Sequence, residues 1–176
     1  MTPQRKTLVT VAVIVIVIAS AIGALMVFNK SPNLLDSEFR VIVTGSMDGE
    51  PREEYEIKTI PVNSLVAIHK VHDGDVDDIR IGDVIGFYQS TVHGNTYHRV
   101  VAVDEAGKSF TTRGDNTHAS EHVPFGDVNG KVVNVSEAAG HVVVYLQQNI
   151  LFVLAVIVIL IVMVEAVSYI LKLGKE

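Results

Sequence analysis

Apolar residues change their pattern twice along this chain. No residue from Leu8 to Phe28 carries a formal charge, and the same holds from Ile150 to Val164. Between these stretches, apolar positions come in short β-branched runs broken by polar turn signals. At ~1.5 Å per residue, 8–28 makes a helix of roughly 31 Å, the thickness of a bilayer's hydrocarbon core, which predicts a transmembrane helix. Arg5 and Lys6 ahead of it also suit a cleavable signal peptide, but the apolar region of such a peptide is only about 7–15 residues, so an uncleaved anchor is the better reading. The second stretch is too short alone and is read onward past Glu165, as a transmembrane helix over 150–171. Glu165 then lies near the inner end, where an acid reaches the headgroups.

The middle, 29–148, reads as one extracytoplasmic β-rich domain. Strands are predicted at Phe39–Thr44, Ser64–Val71, Asp83–Tyr88, Tyr97–Asp104, Ser109–Arg113, Asn129–Val135 and His141–Tyr145. Tight turns are predicted at Asp73-Gly74-Asp75, Gly94-Asn95 and Glu105-Ala106-Gly107. No middle window holds a 3.6-residue apolar period over three turns, and nothing resembles a helical crossover between strands. The expected fold is therefore mainly β, a coiled or folded antiparallel sheet flanked by two transmembrane helices. Asp48, Glu50, Glu53, Glu54 and Glu56, with Gly49 and Pro51 among them, read as a solvated acidic loop.

Composition narrows the class. With 48% hydrophobic residues, 19% charged and a mean hydropathy of +0.36, a wholly water-soluble protein is excluded. The net charge of −6 argues against a nucleic-acid partner. The absence of cysteine excludes disulfides, thiolate metal sites and a cysteine nucleophile. Arg5 and Lys6 precede the first apolar stretch, and Lys172 and Lys175 follow the second. With two crossings they share the cytoplasmic side, so the middle domain faces outward from the cell membrane.

Three short segments in the middle carry candidate chemistry. In Thr44-Gly45-Ser46-Met47, a serine follows glycine at a strand end, where a tight turn can expose its hydroxyl and offer its own N–H to a developing oxyanion. Tyr97-His98-Arg99-Val100 opens a strand and holds His98 on a rigid element. Thr112-Arg113-Gly114-Asp115-Asn116, followed by Glu121, offers two carboxylates able to orient an imidazole. Taken singly, each has a plainer reading as a turn, a structural histidine and an Asx turn. His69 with His72, and His118 with Glu121 and His122, raise a metal site, but the first pair falls on opposite faces of a strand and the second cluster lacks a helix.

In this order the segments resemble signal peptidase I of the archaeal and endoplasmic-reticulum type. Thr44-Gly45-Ser46-Met47 resembles that family's nucleophile box, and Gly82-Asp83-Val84-Ile85 with Tyr97-His98-Arg99-Val100-Val101 its histidine box. Arg113-Gly114-Asp115-Asn116 resembles its acidic box, and Asn129-Gly130-Lys131-Val132 the strand closing its catalytic domain. The resemblance implies a Ser–His peptidase in which His98 takes the proton of Ser46 and Asp115 or Glu121 orients the imidazole. Glu121 stands where family members commonly carry a second aspartate, and Asp48-Gly49 where a proline is usual. Lys70, the lysine that could instead serve a Ser–Lys site, reads as a surface residue of its strand.

The resemblance further implies signal peptides of secretory preproteins as substrates, with small residues at −1 and −3. It implies the lipid bilayer and the secretion translocon as partners, and no cofactor. A rival from another class is a non-catalytic membrane-anchored β domain that binds partners, with Ser46 and His98 as ordinary turn and strand residues. Convergence of Ser46, His98 and one carboxylate is what separates the two.

Overall fold

Side chains alternate across a strand, so a strand covered on one face shows every second residue buried and a strand covered on both shows an unbroken apolar run. Val84, Ile85, Gly86 and Phe87 are all buried, and in the computed structural model they form the middle of a sheet with a core on each side. The structure describes residues 37–72 and 76–173. The expected helix over 8–28 and the expected turn at Asp73-Gly74-Asp75 lie outside them.

Seven strands make one antiparallel sheet: β1 (Ser37–Val41), β2 (Leu65–Lys70), β3 (Val84–Gln89), β4 (Gly94–Asp104), β5 (Ser109–Arg113), β6 (Ser120–Pro124) and β7 (Val128–Ser136). Their order across the sheet is β1-β2-β7-β3-β4-β5-β6, so the last strand in sequence closes the gap between β2 and β3. One core gathers Ile85, Phe87, Val100, Phe110, Val123 and Val128. The other gathers Ile42, Met47, Ile60, Val66, Ile68, Val84 and Val132. Residues 98 and 99 of β4 therefore face different cores, which decides what each can reach.

Two helices follow, α1 (Glu137–Gln148) and α2 (Ile150–Leu173). The described residues divide into two compact units, one ending at Val144 and one beginning at Tyr145. The mainly β, antiparallel expectation agrees with the sheet; the strand expected at His141–Tyr145 does not, because it is part of α1. The cause lies just upstream. Ser136 Oγ accepts from Ala139 N at 3.2 Å, an N-cap to the third helical residue, Glu137 occupies the first turn, and Ala138 and Ala139 are strong helix formers. These outweigh the β preference of Val142-Val143-Val144. The turn expected at Gly94-Asn95 is likewise displaced: β4 starts at Gly94, and the chain reverses ahead of it, with His93 at φ 51°.

Gly140 shows how tightly α1 sits on the sheet. A Cβ there would lie 1.9 Å from Asn63 O and 2.4 Å from Leu65 N. Both are backbone atoms that cannot swing away, so Gly140→Ala is expected to destabilise the chain. Alanine's better helix propensity returns about 1 kcal/mol, and overpacking of this severity costs about 3 kcal/mol. A urea titration in detergent should show a lowered midpoint, and an unchanged midpoint would mean that α1 docks less closely.

Among the described residues no single helix is long and apolar enough to cross a membrane. Glu137–Gln148 and Ile150–Ala166 meet that requirement only together, broken at Asn149. The expected span over 150–171 coincides with α2, many of whose apolar side chains are exposed, Leu151 at 80% among them.

Candidate active site

Ser46 stands on a single 3-10 turn, Gly45–Met47, shortly after β1, closed by Asp48 N donating to Gly45 O at 3.1 Å. Met47 anchors the turn by burying its side chain, and Ile60 N donates to Met47 O at 2.9 Å. Thr44 and Val43 before it are exposed, and Ser46 is half-buried. The first amides of a helical turn have no partner within it, which leaves the Ser46 N–H without one inside its own turn.

The segment that follows β5 meets this turn from the other side. Asn116 N donates to Ser46 O at 2.8 Å, and Asn116 Nδ2 to Gly45 O at 3.3 Å. Gly114 is the point of closest approach. A Cβ placed there would lie 2.6 Å from Ser46 O, 3.1 Å from Ser46 Cβ and 3.1 Å from His98 Nε2. A side chain at residue 114 would therefore crowd both Ser46 and the His98 ring.

His98 is buried on β4 opposite Ile85, its ring edge-on to Phe87 at 6.2 Å. Its Nδ1 is 3.0 Å from Glu121 Oε2. An ionised carboxylate can only accept, so Nδ1 donates in this pair, and in a neutral imidazole Nε2, the nitrogen beside Gly114, is then the acceptor. Glu121 is opposite Thr112 in the β5–β6 pairing, and Thr112 Oγ1 donates to the same oxygen at 3.3 Å. Thr112 is fully buried.

The two carboxylates thus part ways. The structure brings Glu121 to His98, while Asp115 is held by Arg99: Nε to Oδ1 at 2.8 Å and Nη2 to Oδ2 at 2.7 Å, a bidentate pair with both side chains buried. Arg99 also donates to Gly82 O at 2.7 Å and Lys58 O at 3.2 Å, and its guanidinium lies 5.1 Å from the centre of the Tyr55 ring. The acidic loop is therefore not simply solvated, since Tyr55 within it packs against the arginine. Asp115 fixes the Gly114–Asn116 turn on the arginine side, one residue from the serine's neighbour.

Arg99 and Thr112 are the residues a reading of the sequence passed over. Both sit inside quoted segments, yet nothing in sequence distinguishes a fully buried arginine from an exposed one. Lys70 lies on β2, separated from β4 in the sheet by β7 and β3. Tyr97, on the face of β4 opposite to His98, has its phenol raised above the usual tyrosine value by burial, with Glu38 adding to the effect and Arg40 and Asn95 opposing it. Among the described residues no group of three or more His, Asp and Glu is arranged to hold a metal ion.

A serine, an imidazole and a carboxylate in this order are the parts that removal of a proton from a serine hydroxyl calls for. Compared with known proteins, the chain matches no protein-family model and no curated protein.

Proposed function

We propose that this chain is a membrane-bound serine endopeptidase that removes signal peptides from secretory preproteins on the extracytoplasmic face of the cell membrane. The reading rests on one observation: Ser46 Cβ and His98 Nε2 both flank Gly114, and Glu121 takes the far ring nitrogen. His98 takes the Ser46 proton as Oγ attacks the scissile carbonyl, and an acyl-enzyme forms on Ser46. His98 then returns the proton to the leaving amine, and water, activated by the same imidazole, hydrolyses the ester. The Ser46 N–H stabilises the oxyanion. Glu121 is the orienting acid and Asp115 a structural one. An extended substrate with small residues at −1 and −3 fits a site flanked by strands. The apolar stretches 8–28 and 150–171 anchor the domain where a signal peptide leaves the bilayer or the translocon.

The direct test incubates detergent-solubilised protein with a labelled preprotein beside the Ser46→Ala variant. Cleavage by the wild type alone supports the reading; cleavage by neither, or equally by both, overturns it.

Glu121→Gln separates orientation from stability. The amide no longer compels the tautomer that leaves Nε2 free, so turnover is expected to fall by about 10³-fold or more. Glu121 is partly exposed, its side chain at 24%. The lost hydrogen bonds then cost only about 1 kcal/mol of folding stability. Turnover and thermal melting of the same preparation check both parts.

A further inference from the structure

Glu121 stands on the edge strand β6 and reaches across the sheet to its partner. His98 is on β4, and β5 lies between the two. Two strand spacings are about 9–10 Å, so the Glu121 side chain passes over β5 before its carboxylate comes to His98 Nδ1. The residue it passes is Thr112, its partner in the β5–β6 pairing, which is itself opposite Val100 of β4. Val100 and His98 are two residues apart, so all four side chains rise from the same face of the sheet.

A carboxylate in such a place is not held by its own strand. The Glu121 side chain is partly exposed, and β6 is a polar strand at the sheet edge. Fixing a long side chain costs rotamer freedom, and one bond to an imidazole within reach of water offsets little of that cost. Thr112 differs in each respect. It is fully buried, and as a β-branched residue it is stiff about its first side-chain torsion. Its hydroxyl meets Glu121 Oε2 at 3.3 Å, the same oxygen that His98 Nδ1 meets at 3.0 Å. An ionised carboxylate only accepts, so the two donors converge on one oxygen and fix it from two directions.

We infer that Thr112 is a positioning residue of the Ser–His site: its hydroxyl holds Glu121 Oε2 at the His98 ring and so governs how firmly the imidazole keeps the orientation that turnover needs. The inference rests on Ser46, His98 and Glu121 acting together, as in the function proposed above. The influence of Thr112 passes through Glu121 and His98, so it falls on kcat and not on KM. At 3.3 Å the contact is long for a hydroxyl donor and adds little to folding stability, which separates its effect on orientation from any effect on the fold.

Thr112 also fills buried space, and two substitutions part the two roles. Thr112→Val keeps the shape and removes the hydroxyl, whereas Thr112→Ser keeps the hydroxyl and removes a methyl group. In the detergent-solubilised full chain, Thr112→Val is expected to lower kcat for preprotein cleavage about tenfold, with KM unchanged and no fall in melting temperature. Thr112→Ser is expected to melt lower and to keep kcat within a few-fold of wild type. Turnover that follows melting temperature across the two variants, or wild-type kcat in Thr112→Val, overturns the inference. Proton NMR of the histidine-labelled chain reads the same contact without any substrate. The hydrogen on His98 Nδ1 is the downfield resonance that His98→Gln lacks; it should exchange slowly with water in the wild type and in Thr112→Ser, and faster in Thr112→Val. Equal exchange in all three, or no such resonance in the wild type, overturns the inference. Should the wild type cleave no preprotein, the peptidase reading fails, and the exchange rates still decide whether Thr112 holds Glu121 to His98.

Discussion

Ser46→Ala and His98→Gln are each expected to lower preprotein cleavage by roughly 10⁴-fold or more, and the double variant is expected to be hardly worse than either. The reason is mutual dependence: without the imidazole the hydroxyl keeps its proton, and without the hydroxyl the imidazole has nothing to deprotonate. Ser46 is half-buried on a turn held by backbone bonds from Asp48, Ile60 and Asn116, so trimming its hydroxyl leaves the fold in place. His98 is 6% exposed and packs edge-on to Phe87. Glutamine preserves much of its volume and is the better probe than alanine, which adds a cavity to the chemical change. Single-turnover assays with melting curves on the same preparations check this, and activity within tenfold of wild type from either variant would remove the residue from the chemistry.

Arg99→Met is expected to be the most damaging single change to folding stability, at about 3–5 kcal/mol. Breaking a buried pair costs more than the pair contributes, because the Asp115 carboxyl is left buried without its partner. The guanidinium also satisfies the carbonyls of Gly82 and Lys58. Arg99→Lys should recover little, since an ammonium cannot match the two oxygens of Asp115 in parallel. Asp115→Asn should lower stability and turnover together, because the loosened turn carries Gly114 and Asn116, the residues against Ser46. Chemical unfolding measures the first effect and initial rates the second. A loss below about 1 kcal/mol in Arg99→Met would place the pair among weakly contributing surface interactions.

The candidate residues were legible because each sits beside a signal that is local in sequence: Ser46 after glycine at a strand end, His98 opening a β-branched strand, Glu121 at a fixed distance beyond Asp115. The sheet was legible for the same reason, since β2, β3, β5 and β7 are β-branched runs between turn residues. β6 was not, because Ser120-Glu121-His122-Val123-Pro124 is polar and ends in proline, as suits an edge strand that relies on its partner's register. α1 was missed because its capping serine lies inside the preceding strand and its central residues, Val142-Val143-Val144, are β-branched. The division of labour between Asp115 and Glu121 was beyond reach, since it depends on which core residues 98 and 99 face.

The strand order has a kinetic meaning. Ser46 follows the first strand of the sheet and Glu121 lies on its opposite edge, with the bond from Asn116 to Gly45 linking residues 71 apart in sequence. Closing so long a loop is slow compared with forming the local β3–β4 and β4–β5 hairpins. A partly folded chain can therefore own most of its sheet and still lack a nucleophile beside its base. In the proposed peptidase, catalytic competence is then the last property the chain acquires, so the Ser46 hydroxyl stays unarmed while the chain is still emerging and its own loops are exposed.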